Sequence, residues 1–273
     1  MVLLLGCDFS SAPTQRKPIV IAQGTLDGKV MRLAQLHTFA TLDAWGDWLA
    51  RTRVWVGGFD FPFGLPRELI VQLGWPVHWP LSMTHYAGLS RAAIRAEFAA
   101  FCAARPVGGK FAHRATDGPA GSSPSMKWVN PPVAFMLHAG VPRLLAAGAF
   151  FPAHDEPWAG RRAERIALEA YPGLLARELI GRRSYKADDR ARQTPERRAA
   201  RADLLDTLCA AGSERLGIRL ALDAPQRVDL LADAQGDRLD AVLCLAQAAW
   251  AASRPGWGLP PKVDSLEGWI ISA

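Results

Sequence analysis

The order of elements in the first 60 residues constrains this chain more than anything else in it. Val2 to Gly6 is continuously apolar, and 2–10 reads as a buried strand with Asp8 marking its carboxyl end. Lys17–Gln23 and Lys29–Phe39 read as two further strands, and the Asp27-Gly28 pair between them predicts a hairpin. Thr41–Leu49 then places Leu42, Trp45 and Leu49 at helical spacing behind Thr41 as N-cap. Val54–Phe59 is a fourth strand, ending at Asp60. Strand, hairpin-linked strands, helix, strand is not the order of a simple alternating β–α chain, and it predicts a mixed sheet flanked by helices.

Beyond Phe61 the character changes. Eleven prolines between residues 62 and 152 break the segment repeatedly, and only Ser90–Ala104 and Val133–Ala147 read as sustained helices. Between these helices, a Gly/Ser/Pro-rich loop runs from Gly108 to Pro124, a length that is usually functional or disordered. Residues 61–162 are therefore expected to form a largely helical cap inserted into a core made of 1–60 and 163–273. The core resumes with a fifth strand ending near Glu169, a helix from Pro172 to Ile180 and another from Pro195 to about Ala211. A last helix begins at Gly236-Asp-Arg-Leu-Asp and is apolar almost all round, so it must be buried on most sides.

At 273 residues the chain fits one core with an insertion better than two domains. Its four cysteines (Cys7, Cys102, Cys209, Cys244) form no Cys-x-x-Cys pair and no zinc spacing. Two disulfides fit the count, but Cys7 and Cys244 sit in apolar runs and read as reduced. No basic leader or cleavage site is recognisable, and no stretch reaches the roughly 18 apolar residues that span a bilayer. A cytoplasmic protein without a membrane partner is expected, its oligomeric state open. The net charge of +6 favours a polyanionic partner, although a chain rich in Arg and Ala can be mildly basic for no functional reason.

The acids carry the chemistry. Asp8, Asp60 and Glu169 each end an apolar strand, and the carboxyl ends of parallel strands open onto one crevice. Asp237 and Asp240 lie three apart at the start of the last helix, hence on one face. Acids so gathered repel one another, and a hard cation relieves this; oxygen-only ligands select Mg²⁺ or Mn²⁺. Two such ions about 4 Å apart can activate water and stabilise a leaving oxygen in phosphodiester cleavage. Asp8, Asp60, Glu169 and Asp240 are the expected catalytic acids, with Asp8, Asp60, Asp237 and Asp240 as metal ligands. Each acid also has a plainer reading: a strand-end Asp or Glu can cap a turn, and Asp237 can be the N-cap of its helix.

Gly-Cys-Asp-Phe-Ser at 6–10, Gly-Gly-Phe-Asp-Phe-Pro-Phe-Gly-Leu-Pro at 57–66, Glu-Ala-Tyr-Pro at 169–172 with Lys186, and Gly-Asp-Arg-Leu-Asp-Ala at 236–241 occur in that order. Together they resemble the predicted ribonuclease-H-like nucleases grouped as domain of unknown function 429. The resemblance runs through 2–66 and 163–252. It implies a ribonuclease-H-like mixed five-stranded sheet, with Asp8 as the metal-bridging acid. By the same similarity Asp60 matches the acid ending the fourth strand of Holliday-junction resolvases, and Asp237 with Asp240 the paired acids of their last helix. Glu169 departs from that pattern.

For substrate, Lys186 is a candidate phosphate contact, or else part of a solvated basic turn. Lys110, Arg114, Lys127 and Trp128 are expected to hold nucleic acid from the loop, with Trp128 stacking on a base or packing beneath the loop. Arg161–Arg201 holds twelve Lys/Arg against six acids and reads as a basic rim. His113 and the Ser10-Ser11 pair are weaker candidates. No P-loop or Gly-x-Ser-x-Gly motif is present. The function expected is a metal-dependent nuclease acting on DNA or RNA. Two alternatives stand beside it: an ATP-using phosphotransferase of the actin-like or sugar-kinase type, favoured by Asp8-Phe9-Ser10 but lacking a duplicated core, and an inactive nucleic-acid-binding module.

Overall fold

The computed structural model describes residues 2–155, 163–210 and 212–273. Six strands form one mixed sheet: β1 (Leu4–Asp8), β2 (Ile19–Asp27), β3 (Val30–Phe39), β4 (Trp55–Phe59), β5 (Arg165–Glu169) and β6 (Arg219–Ala221). Their spatial order is β5-β4-β1-β2-β3-β6, with β1 antiparallel to β2 and β2 antiparallel to β3. The pairs β1–β4, β4–β5 and β3–β6 are parallel. The expected hairpin is present, turning through Gly28-Lys29 with Gly28 in the left-handed region (φ 57°). The expected five strands are corrected to six. The added β6 is three residues long and too short to show a periodicity; it forms by pairing with the start of β3.

The helices are α1 (Leu42–Arg51), α2 (Arg67–Gln72), α3 (Trp79–Gly88), α4 (Arg91–Ala103), α5 (Asp117–Ala120), α6 (Val133–Ala146), α7 (Pro172–Ile180), α8 (Pro195–Ala210), α9 (Ala224–Ala232) and α10 (Asp237–Ala252). Thr41 caps α1 as expected, its hydroxyl accepting from the Ala44 amide at 3.2 Å. Arg161, Arg162 and Ala211, parts of the expected basic rim and of the helix now seen as α8, lie outside the described residues.

Side-chain alternation along the strands divides the core in two. Leu5, Cys7, Trp55 and Phe59 point to one face, where they pack with Trp45 and Leu49 of α1 and with buried residues of α2, α3, α4 and α6. Leu4, Val56, Ile166 and Leu168 point to the other, under α7, α8 and α10. Residues 61–151 thus supply side chains to the core on the first face. Among the described residues no helix is long and apolar enough to cross a membrane. All four cysteines are free thiols.

Helix α10 packs across β1, β2 and β4, and its main chain comes closest to the sheet at two glycines. Gly6 and Gly58 are register partners on β1 and β4, on the face that α10 covers. A Cβ on Gly6 would stand 2.1 Å from the Ala241 carbonyl oxygen and 2.1 Å from the Leu245 amide nitrogen; on Gly58 it would stand 2.7 Å from the Cys244 oxygen. Neither site can relax by moving a side chain, because the obstructing atoms are main chain. Gly6→Ala and Gly58→Ala are expected to cost at the upper end of the roughly 1–3 kcal/mol typical of overpacking, or more. Gly88→Ala, at an exposed helix end with open space around it, should be neutral or stabilising. Urea titration of the three variants checks this; equal stability of Gly6→Ala and wild type would contradict it.

Candidate metal centre and its surroundings

The close approach of α10 is what assembles the site. Asp8 follows Gly6 by two residues and Asp60 follows Gly58 by two, so both acids project on the face that the glycines open to α10. The strands bring them together: the Asp60 amide donates to the Cys7 carbonyl at 2.9 Å, setting the two acids side by side at the ends of parallel strands. From above, the first turn of α10 lowers Asp240, which is fully buried. One carboxylate oxygen from each of Asp8, Asp60 and Asp240 lies within 4.8 Å of the others.

The helix is entered through Gly236, which takes a left-handed φ of 78° and has no side chain where the Lys186 stem passes; a Cβ there would meet the Lys186 Cβ at 2.8 Å. Gly236 is therefore the N-cap, which settles the alternative reading of Asp237 as the cap. Asp237 and Asp240 occupy the first turn, where the helix dipole favours negative charge.

A buried carboxylate needs partners. Asp240 has two: the Tyr185 hydroxyl donates to Oδ1, and the Lys186 ammonium pairs with Oδ2. Burial opposes the charge on Lys186, but the Asp240 carboxylate outweighs it and holds the ammonium well above its ordinary range. Asp237 faces Lys17 at 3.8 Å, and Lys17 also pairs with Asp188. Tyr185 and Lys17 were not foreseen from sequence. Tyr185 had a signal, since it precedes the singled-out Lys186; Lys17 had none beyond its charge.

Glu169 is placed differently from the other strand-end acids. It ends β5 and is buried, yet lies outside the three-acid group, with its carboxylate already occupied. Arg114 grips it with two bonds, Nη2 to Oε1 at 2.7 Å and Nη1 to Oε2 at 2.8 Å, and the Phe63 amide donates to Oε2 at 2.9 Å. Arg114 also donates to Asp117 Oδ1 through Nε and Nη2 and to the Glu267 carbonyl. Arg114, expected as a loop cation for substrate, is 3% exposed, and its guanidinium is engaged by two carboxylates and a carbonyl. Fork-shaped pairing of this kind suits a buried ion pair.

The remaining loop candidates do not converge on the acids as a set. Lys110 and His113 are exposed and Lys127 is half-buried. Trp128 is partly buried, its ring 5.8 Å from Phe111, and packs beneath the loop. The Ser10 hydroxyl accepts from the Ala12 amide, ending the strand locally.

Next to the acids opens a cavity of about 220 Å³ whose lining includes Asp60, Lys186, Glu169 and Tyr171. With this geometry in hand, known proteins offer no relative: no family model, no curated protein and no solved structure matches the chain.

Burial is the first cause that raises the Asp8 carboxyl well above the usual carboxylate range, with repulsion from Asp240 and Asp237 adding to it. Burial and then Asp240 carry Asp60 to about 7, against the pull of Lys186. Burial likewise lifts Asp237 to about 6, opposed by Lys17. A carboxyl raised by folding keeps its proton where the unfolded chain has lost it. Its contribution to stability is therefore present at low pH and is lost as pH rises toward the folded value. For Asp60 the loss falls between about pH 4 and 7. Without metal, Asp60→Asn should be more stable than wild type at pH 8 by about 1–3 kcal/mol, a margin that shrinks toward pH 5. Denaturant titrations at the two pH values test this, and a margin independent of pH would contradict it.

Proposed function

We propose that the protein is a divalent-metal-dependent phosphodiesterase of the ribonuclease-H-like kind, acting on nucleic acid. The observation that carries this reading is the convergence of Asp8, Asp60 and Asp240 within 4.8 Å. The set contains oxygen donors only, the preference of Mg²⁺ or Mn²⁺. Oxygens bound to one such ion at about 2.1 Å each lie no more than about 4.2 Å apart, so small side-chain rotations bring the three acids onto one cation. Three partly or fully buried acids share one close ammonium, that of Lys186, and a divalent cation would complete their neutralisation.

Bound there, Mg²⁺ or Mn²⁺ would supply an activated water and charge neutralisation at the phosphate. The chain's own residues do the rest. Asp8 and Asp60 hold fixed positions because parallel strands β1 and β4 fix their backbones. Tyr185 orients Asp240 through its hydroxyl. Lys186, which pairs with Asp240, is the cation that a bound metal would compete with, and it would then be available to a phosphate oxygen. Asp237, with Lys17, lies at the rim of the group and takes an auxiliary part in binding. Support for nucleic acid as substrate comes from the net charge of +6 and from the ordered motifs that resemble the domain of unknown function 429 nucleases. The mixed sheet, with β2 alone antiparallel to its neighbours and acids at the ends of β1 and β4, supports the ribonuclease-H-like assignment. Glu169 is assigned to structure, holding β5 to Arg114.

Asp8→Asn, Asp60→Asn and Asp240→Asn should each reduce Mn²⁺-dependent cleavage of end-labelled DNA and RNA by at least about 100-fold while circular dichroism stays that of the wild type. Cleavage that survives EDTA, or wild-type turnover in a folded Asp8→Asn variant, would defeat the proposal.

A further inference from the structure

The cavity beside the acid group is built for one part of a substrate. It lies where the residues after β4, the residues after β5, the Gly/Ser/Pro-rich loop and the first turn of α6 meet, with Lys186 and Ile270 added from two further segments. Its apolar wall includes Phe61, Val133, Met136 and Ile270, and its aromatic members are Phe61 and Tyr171. Arg177 stands over the Tyr171 ring at 5.3 Å and fixes it. Two hydroxyls, Ser122 and Ser123, line the cavity; that of Ser122 donates to Asp117 Oδ1 at 3.0 Å and keeps its lone pairs to accept another donor.

The charges in the lining argue against an anion as the occupant. Arg114 is committed to Glu169 and Asp117, and Lys186 belongs to the acid group, on the side where the phosphate would lie. What the cavity offers is apolar contact, aromatic rings and a few hydrogen-bonding groups. That is the recognition chemistry of a flat heterocycle with a polar edge. At about 220 Å³ it is smaller than the roughly 300–1,000 Å³ of sites for drug-sized ligands. It admits one base with part of its sugar, and neither two stacked bases nor a duplex. Asp60 and Lys186 also belong to its lining, so a base seated inside leaves its phosphate next to the acids.

We infer that this cavity is a base-binding subsite, and that the substrate presents a single nucleotide drawn out of the stack, from a single strand or a frayed or flipped position. The inference rests on the phosphodiesterase reading for its orientation. It gives the long loop, through Ser122 and Ser123, the work of recognition.

Calorimetric titration with the four ribonucleoside 5′-monophosphates and with ribose 5-phosphate, all in Mn²⁺, tests it. At least one nucleotide should bind about tenfold or more tighter than ribose 5-phosphate, the scale of one stacked base. Val133→Trp or Met136→Trp, either of which fills the cavity, should erase that preference. Photolabelling of the wild-type chain with 8-azidoadenosine monophosphate gives a readout independent of any variant's folding, and the label should fall within residues 60–62, 122–136 or 170–171. Equal affinity for nucleotides and ribose 5-phosphate, a preference that survives in a folded Val133→Trp, or a label elsewhere would overturn the inference. Mn²⁺ binding, followed separately by paramagnetic resonance, tells the two readings apart. Lost base preference with Mn²⁺ still bound refutes the subsite alone, whereas base preference without Mn²⁺ binding refutes the metal reading alone.

Discussion

Helix α10 rests on the sheet through main-chain atoms, and the rest of the structure depends on that contact. Gly6 and Gly58 face each other across β1 and β4, and the absence of two methyl groups lets Ala241, Cys244 and Leu245 come down onto the strands. The alanines of α10 serve the same end, since small side chains shorten the distance at which two elements pack. Strand periodicity then does something specific. The residue two places after each glycine lies on the same face, and in both strands that residue is aspartate. One device therefore seats the helix and aims Asp8 and Asp60 at its first turn, where Asp240 waits.

Two charge systems result, and they behave differently. Around Asp240 the carboxylates of Asp8, Asp60, Asp237 and Asp240 outnumber the cations Lys186 and Lys17, and burial first, then mutual repulsion, raises the Asp8, Asp60 and Asp237 carboxyls. Around Arg114 the geometry is closed. Glu169, Asp117 and the Glu267 carbonyl satisfy the guanidinium, and the Glu267 carboxylate accepts from the Ala115 and Arg67 amides. Buried, fully bonded ion pairs hold segments in register, here the long loop, the end of β5 and the C-terminal stretch. An incompletely neutralised carboxylate group is instead the usual sign of a site that binds something.

Much of this was legible in the chain. The strand-end acids, the hairpin, the Thr41 cap, the buried last helix and the helix opened by Pro172 all follow from apolar patterning and local turn chemistry. The Gly-x-Asp spacing that explains the site was visible at 6–8 and 58–60, but its meaning needs the knowledge that α10 covers that face. What escaped was tertiary in origin. Strand β6 is three residues that pair only because β3 is there. Helix α3 buries Trp79, Ser82, Met83 and Tyr86 on one face, but a serine sits on that face and the apolar Pro80, Leu81 and Ala87 are exposed, which blurs the periodicity. Arg114 read as a surface cation because its carboxylate partners lie 3 and 55 residues away, and no local rule pairs Arg114 with Glu169. Glu169 shared the strand-end position of Asp8 and Asp60, but position alone does not say which acid already has a partner.

The central claim is that Asp8, Asp60 and Asp240 together want a divalent cation. An anomalous difference map from crystals soaked in Mn²⁺ near pH 8 tests it most directly. The account predicts a peak bonded to oxygens of all three acids, with the Lys186 ammonium withdrawn from Asp240. A map with no peak there, and Lys186 still paired to Asp240 at saturating Mn²⁺, would contradict it.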